Sequence, residues 1–219
     1  METVHRHEVT LPVGDITLTG IIEIPVGASG MVLFAHGSGS SRLSPRNQFV
    51  AQVIRAHGLG TLLFDLLTRE EEAIDLRTRH LRFDIRLLAQ RLVQVTNWIK
   101  SRPETQNLPI GYFGASTGGA AALVAAAELG ATVQAVVSRG GRPDMAGEAL
   151  VFVQAPTLLI VGEHDPVVLQ LNEEAFEKLS CQKQLTVVPG ATHLFEEAGA
   201  LEAVAHLAAR WFQHYLQPH

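Results

Sequence analysis

Gly114-Ala115-Ser116-Thr117-Gly118 is the stretch that decides the fold, because it matches the pattern G-x-S-x-G. The residues before it, 108–113, predict a short buried strand, and residues 119–128 are rich in strong helix formers. Ser116 is therefore predicted to lie at a sharp turn from a strand into a helix. The small residues two positions before and after the serine allow the neighbouring backbone to pack closely around such a turn.

A serine on a turn of this kind is a candidate nucleophile. The strained turn projects the hydroxyl group of Ser116 into open space. The start of the following helix directs backbone N–H groups, and the positive end of its dipole, at any anion that forms there. The pattern alone is weak evidence, since glycine and serine are common in turns, so the rest of the chain must supply the partners of this serine.

The sequence around the turn alternates between apolar runs and helical patterns. Alternation predicts an antiparallel pair of strands at residues 4–11 and 16–24. Apolar runs predict buried strands at residues 31–35 and 60–64, and further strands are predicted at residues 133–137, 157–161 and 184–188. Helical patterns are predicted at residues 45–57, 81–101, 169–179 and 201–216, and a polar loop at residues 65–79.

This order of elements predicts an α/β fold and a single domain over residues 1–219. We expect a mostly parallel twisted sheet with helices on both faces and antiparallel strands at the N-terminus. The connection between residues 137 and 157 is short and holds one short helix, so a minimal lid or none is predicted. In such sheets the functional loops lie beyond the C-terminal ends of the strands.

An acid and a histidine follow Ser116 in the order that strand–turn–helix hydrolases use. Asp165 directly follows one predicted strand, and His193 directly follows the last predicted strand. A serine nucleophile needs a base, and the base needs an orienting group. We therefore predict Ser116 as nucleophile, His193 as general base and Asp165 as orienting carboxylate. Glu163 is a rival acid, because it also follows the strand, and His164 is a rival base, although it precedes the acid and is also explained as a loop residue.

Two backbone N–H groups are needed to stabilise the oxyanion of such a reaction. The first is predicted to be the amide of Thr117, which follows the candidate nucleophile. The second is predicted in the loop His36-Gly37-Ser38-Gly39-Ser40-Ser41, after the strand at residues 31–35. The amide of Ser38 is our first choice and that of Gly37 the alternative. His36 is expected to shape this loop through side-chain hydrogen bonds.

Four arginines follow strand ends or loops near the predicted serine. Arg139 and Arg142 follow the strand at residues 133–137, whereas Arg42 and Arg46 follow the candidate oxyanion loop. A guanidinium group binds carboxylates and phosphates well, so any of the four could hold an anionic group of a substrate. Each is also explained as a surface or ion-paired residue. The predicted partner is therefore a small molecule, with an anionic substrate as one hypothesis.

Composition excludes several other classes of function. The chain has a net charge of −5 and no long basic run, which argues against nucleic acid as a partner. A single cysteine, Cys181, precludes an internal disulfide framework. No apolar stretch approaches the roughly 20 residues that span a bilayer, and the first ten residues lack a signal-peptide core. We expect a cytoplasmic protein without a membrane segment, a metal site or a cofactor, since no ligand spacing or nucleotide-binding glycine pattern is present.

Four motifs together carry a resemblance to a known family. They are the His36-Gly37 loop, the elbow around Ser116, the Gly162-Glu163-His164-Asp165 loop and the Gly190-Ala191-Thr192-His193 loop. With them the chain resembles an α/β-hydrolase along essentially its full length, and its small size makes it most similar to the dienelactone hydrolase-like branch. That resemblance implies cysteine as nucleophile, whereas this chain has Ser116.

These observations predict a serine hydrolase that cleaves a small ester, lactone or thioester through an acyl-enzyme intermediate. An esterase type of activity fits Ser116 better than dienelactone hydrolysis does. Two alternatives remain open at this point. One is a non-catalytic protein of the same fold that binds a ligand, and the other is a serine hydrolase that cleaves amides or peptides.

Overall fold

One sheet of eight strands forms the centre of the computed structural model, which describes residues 5–217. Its strands are β1 (His5–Val13), β2 (Ile16–Ile24), β3 (Met31–Ala35), β4 (Gly60–Phe64), β5 (Ile110–Ala115), β6 (Val133–Arg139), β7 (Thr157–Gly162) and β8 (Lys183–Val188). Their order in the sheet is β1-β2-β4-β3-β5-β6-β7-β8. β2 pairs antiparallel with β1 and β4, and all other pairs are parallel. The predicted sheet with its antiparallel N-terminal strands is confirmed, although residue 4 of the first predicted strand lies outside the described residues.

Helices cover both faces of this sheet. They are α1 (Pro45–Ala56), α2 (Arg69–Thr78), α3 (Ile85–Lys100), α4 (Thr117–Leu129), α5 (Pro166–Lys178) and α6 (Ala200–Tyr215). On β3, Leu33 packs into the core beneath α3 and α4, whereas its neighbours Val32 and Phe34 pack into the core beneath α1 and α6. Alternate residues of one buried strand thus serve two cores, which explains why the central strands are apolar throughout.

The polar loop predicted at residues 65–79 was wrong over most of its length, because α2 occupies residues 69–78. Thr68 caps this helix: its hydroxyl accepts from the amide of Glu71, and the Glu71 carboxylate accepts from the amide of Thr68. This reciprocal pair satisfies two amides at the helix start. α2 has Asp75 as its buried residue, so it lacks the apolar stripe that reveals most helices.

The long helix predicted from residue 81 begins later than expected. Residues 81–83 form a short 3-10 turn, and α3 starts at Ile85 after Asp84, whose side chain accepts from the amide of Leu87. The short helix expected before β7 is a pair of 3-10 turns at Pro143–Phe152, kinked at Gly147 with φ 55°. No large lid is built between β6 and β7. In residues 5–217, no helix is long and apolar enough to cross a membrane.

Candidate active site

Ser116 occupies a strained turn between β5 and α4. Its backbone has φ 51° and ψ −122°, a conformation that L-residues rarely adopt. The end of β6 fixes the turn on both sides. The amide of Ser116 donates to the carbonyl of Arg139 over 3.2 Å, and the Ser116 carbonyl accepts from the amide of Arg142 over 3.1 Å. The half-buried serine is thereby held at the C-terminal edge of the sheet.

Two glycines let the backbone close around this turn. A Cβ atom placed on Gly118 would lie 2.1 Å from the carbonyl oxygen of Ala35, and one on Gly114 would lie 2.5 Å from the carbonyl oxygen of Gly118. Both distances are far below any van der Waals contact. The pattern G-x-S-x-G therefore reports close packing of α4 against β5 and against the end of β3.

Asp165 and His193 meet beside this edge. Oδ2 of Asp165 lies 2.6 Å from Nδ1 of His193, and their side chains are 15% and 40% exposed. Since a carboxylate accepts, this contact assigns the proton to Nδ1 and leaves Nε2 of the neutral ring as an acceptor. The imidazole is thus oriented by a largely buried carboxylate, and Nε2 is its basic nitrogen.

The loops that carry these two residues are joined through their backbones. The amide of His164 donates to the carbonyl of Ala191 over 2.9 Å, and a Cβ on Gly162 would lie 2.3 Å from the same oxygen. The Glu163 carboxylate accepts from the amide of Gly190 over 2.7 Å. Asp165, rather than its rival Glu163, therefore contacts the histidine. Glu163 instead binds the backbone of the loop that carries His193.

Gly140 brings His193 close to the Ser116 turn. A Cβ on Gly140 would lie 3.5 Å from both Nδ1 and Cε1 of His193, so the ring lies against this glycine. The residue before it, Arg139, accepts the backbone hydrogen bond of Ser116 described above. The structure therefore places Ser116 and the Asp165–His193 pair against the same backbone segment, Arg139-Gly140, at the C-terminal edge of the sheet.

His36 fixes the predicted oxyanion loop from within. The amide of Leu66 donates to its Nε2 over 3.0 Å, which leaves Nδ1 to donate to the carbonyl of Gly37 over 2.8 Å. Burial lowers the pKa of His36 below its usual range, which favours the neutral ring that these two hydrogen bonds require. His36 therefore acts as a link between the loop and the end of β4.

A narrow cavity of about 60 Å³ lies between this loop and α2. Residues 36–41 form one wall together with Thr117, and Glu72 and Leu76 of α2 belong to the opposite wall. A Cβ on Gly37 would lie 3.1 Å from Cβ of Ser116, so the loop passes directly over the serine. Sequence reasoning missed α2 as a wall of this cavity, although the Thr68–Glu71 capping pair was readable.

The predicted substrate-binding arginines have different surroundings. Arg142 is paired through two hydrogen bonds of 2.9 and 2.8 Å with Asp144, which raises the pKa of Arg142. Arg42 pairs with Asp65 through its guanidinium group and its backbone amide. Arg42 and Arg142 are therefore occupied by neighbouring carboxylates. Arg139 is buried and has no carboxylate within 4.0 Å in the part of the chain that is described.

Comparison with known proteins agrees with this geometry. A family model described as the dienelactone hydrolase family matches residues 30–217. The chain belongs to the dienelactone hydrolase family. One similar solved structure is a crystal structure of dienelactone hydrolase from Anabaena variabilis, which is 63% identical in sequence and superimposes with a TM-score of 0.96. The match covers 98% of this chain and 99% of that one.

More distant structures of the dienelactone hydrolase fold include esterases. A cold-adapted esterase from an Arctic intertidal metagenomic library is 20% identical, with a TM-score of 0.78 over 98% of this chain and 95% of that one. Two curated proteins from Mycobacterium tuberculosis, whose names give phosphoribosyl transferase as a proposed activity, are 57% identical over 209 residues. Those residues are 95% of this chain but 46% of the relatives, so the chain spans about half their length.

Proposed function

We propose that this member of the dienelactone hydrolase family is a serine hydrolase that cleaves a small ester, lactone or thioester. Ser116 attacks the carbonyl carbon, and Nε2 of His193 takes the proton of its hydroxyl group. The Asp165 carboxylate orients the imidazole and stabilises the imidazolium that forms. The observation that carries the proposal is the 2.6 Å contact between Asp165 and His193 at the edge where the strained Ser116 turn lies.

In the proposed mechanism the oxyanion lies between two backbone amides. Thr117 is the first residue of α4, so its N–H group has no partner within the helix. The second donor is the amide of Ser38, with that of Gly37 as the alternative, and both residues line the same cavity as Thr117. His193 then protonates the leaving group. Water attacks the acyl-enzyme by the reverse route, and His193 returns the proton to Ser116.

The short β6–β7 connection, which builds no large lid, favours a small-molecule substrate over a long lipid. The proposed compartment is the cytoplasm, which the single cysteine of the chain supports. No step of the proposed reaction needs a metal or a cofactor. Phosphoribosyl transfer, named for relatives about twice as long, is not part of this proposal, because the chain matches 46% of their length.

Labelling with a fluorophosphonate probe tests the proposal, since such a probe reacts with activated serines. We expect wild-type protein to be labelled and to hydrolyse 4-nitrophenyl acetate, and Ser116→Ala to lose both properties while it keeps its thermal unfolding midpoint. Ser101→Ala is the matched control, because Ser101 lies at the far end of α3. Labelling of Ser116→Ala at the wild-type level would contradict the proposal, and absence of labelling in the wild type would favour a ligand-binding protein.

A comparison of an ester with the matching amide as substrates distinguishes the proposed esterase from an amide-cleaving enzyme. We expect 4-nitrophenyl acetate to be cleaved at least about 100-fold faster than its anilide analogue, because 4-nitrophenolate leaves without a proton, whereas the anilide nitrogen must be protonated by the histidine. Equal rates for the two substrates would favour the alternative, an amide-cleaving enzyme.

A further inference from the structure

Arg139 is a buried cation for which the proposed hydrolysis has no use. It ends β6, its carbonyl receives the amide of Ser116, and the next residue, Gly140, lies against the ring of His193. The residue is 6% exposed. Its side chain therefore begins within one residue of the proposed catalytic groups and extends into the protein.

The guanidinium group of Arg139 is poorly satisfied. Nη2 donates to Oδ1 of Asn47 over 3.2 Å, but Nε is buried and has no hydrogen-bond partner. The group also lies 5.8 Å from the ring centroid of Phe195, two residues after His193. Burial, and to a smaller degree the charge of Arg46, lowers the pKa of Arg139 to about 10, so it remains a cation at neutral pH.

A second cation and a helix start lie at the same corner. Arg46 and Asn47 belong to the first turn of α1. Pro45 has no N–H group there and the amide of Asn47 donates to the Ser44 hydroxyl, so the amide of Arg46 is left without a partner within the helix. Nε of Arg46 is likewise buried and unpartnered, while its Nη1 lies 3.4 Å from the Glu196 carboxylate. The Arg46 and Glu196 side chains are 37% and 66% exposed, so this ion pair is weak and open to competition.

Stability alone does not account for this arrangement. A buried charge without a partner costs folding free energy, and buried donors are normally satisfied. Two guanidinium groups at a helix N-terminus are instead suited to bind an anion with several acceptor oxygens. A phosphate group carries nearly two negative charges at neutral pH, which matches two cations better than a single carboxylate does.

We propose that Arg139, Arg46 and Asn47 bind a phosphate group of the substrate, next to the acyl group that Ser116 attacks. This inference rests on the proposed function for its acyl group, but phosphate binding itself does not. The phosphate replaces Glu196 at Arg46 and accepts hydrogen bonds from the guanidinium group of Arg139. The substrate class is then a small phosphorylated ester, lactone or thioester.

Binding of inorganic phosphate tests the site without any catalysis. We expect phosphate to raise the thermal unfolding midpoint saturably, relative to sodium chloride of equal ionic strength, in wild type and in the surface control Arg102→Met. Arg139→Met should lose this shift, and Glu196→Gln should strengthen the binding. No saturable shift in the wild type, the same shift in Arg139→Met, or tighter binding of acetate than of phosphate would each overturn the proposal.

The Arg139→Met protein is expected to be at least as stable as wild type without phosphate, because the substitution removes an uncompensated buried charge. If it does not fold, the partly exposed Arg46→Gln provides the same comparison. Loss of folding in Arg139→Met together with unchanged phosphate binding in Arg46→Gln would mean a structural role and would overturn the proposal.

Kinetics then connect the subsite to the proposed reaction. A 4-nitrophenyl ester with a phosphate on its acyl chain is compared with its carboxylate and neutral analogues. We expect Arg139→Met to lower the ratio of kcat/KM for the phosphate ester to that for the neutral ester by about 10- to 100-fold. An unchanged ratio would overturn the subsite, whereas failure of wild type to cleave all three esters, with phosphate still bound, would overturn the proposed function alone.

Discussion

The carboxylate of Asp165 and the imidazole of His193 are joined by a 2.6 Å hydrogen bond between loops that follow the adjacent strands β7 and β8. Because these strands are parallel, their C-terminal ends lie side by side, and the two loops need little length to meet. Further backbone contacts between the loops hold this geometry. The orientation of the histidine is therefore fixed by the two loops at the C-terminal edge of the sheet.

Replacement of Asp165 by asparagine is expected to abolish most of the activity while the fold is kept. The amide can donate to Nδ1, which favours the wrong tautomer of His193 and removes the charge that stabilises the imidazolium. We expect kcat for 4-nitrophenyl acetate to fall by a factor on the order of 10³ to 10⁴. Steady-state kinetics, with circular dichroism as a check of folding, measure the effect.

The matched control for this variant is Glu163→Gln. Glu163 lies beside Asp165 but accepts from the amide of Gly190 and does not contact the histidine ring. We expect kcat of Glu163→Gln to fall by less than about tenfold. A large loss in Glu163→Gln together with near-normal rates in Asp165→Asn would transfer the role of the acid to Glu163.

Replacement of His36 by alanine is expected to loosen the candidate oxyanion loop. The substitution removes the hydrogen bonds of the imidazole with Leu66 and Gly37. A shift of one amide by about 1 Å can lower kcat about 100-fold, and we expect an effect of that size with a smaller change in KM. His57→Ala, at the remote end of α1, is the control. Equal kcat values for wild type and His36→Ala would show that the position of this loop does not affect catalysis.

The fold and the candidate residues were predictable because the relevant signals are local. Buried parallel strands are apolar on both faces, so β3 to β7 appear as short apolar runs in the sequence. Ser116 and Asp165 each follow such a run, and His193 follows the last strand, β8. Their chain order and their positions at strand ends could therefore be determined before any distance was known.

Helix α2 was missed because it has no apolar stripe in its sequence. It packs through the charged residue Asp75, which accepts from Nε of Arg82 and from the amide of Leu81. A search for apolar periodicity passes over such a helix. The partners of the arginines were also unpredictable, since Arg139 and Asn47 are 92 residues apart in sequence and meet only in the folded chain.

Low pH is expected to release α2 from the body of the protein. Two hydrogen bonds from Arg91 hold the pKa of Glu71 below its usual value, helped by those from Thr68. The stabilisation of the fold by the ionised Glu71 carboxylate is complete above its unfolded-state pKa of about 4.3. It is lost as the pH falls through the lower pKa of Glu71 in the folded state. Urea midpoints between about pH 6 and pH 3 should therefore decline more steeply in wild type than in Glu71→Gln.

The exposed neighbour Glu70 provides the control for this pH effect. Glu70→Gln should reproduce the wild-type decline, because Glu70 lies outside the Arg91 contact. Parallel pH profiles for wild type and Glu71→Gln would show that the Glu71–Arg91 pair does not contribute to the acid sensitivity.

Replacement of Gly118 by alanine is expected to disrupt the packing of the serine turn. The new methyl group would lie 2.1 Å from the carbonyl oxygen of Ala35, and this contact is with backbone that cannot rotate away. We expect the free energy of unfolding to fall by about 3 kcal/mol, with loss of esterase activity. Gly14→Ala is the control: Gly14 has φ 60° and open space around it, so its cost is the backbone strain of about 1 kcal/mol. Urea denaturation measures both, and equal destabilisation of the two variants would contradict the close packing of Gly118.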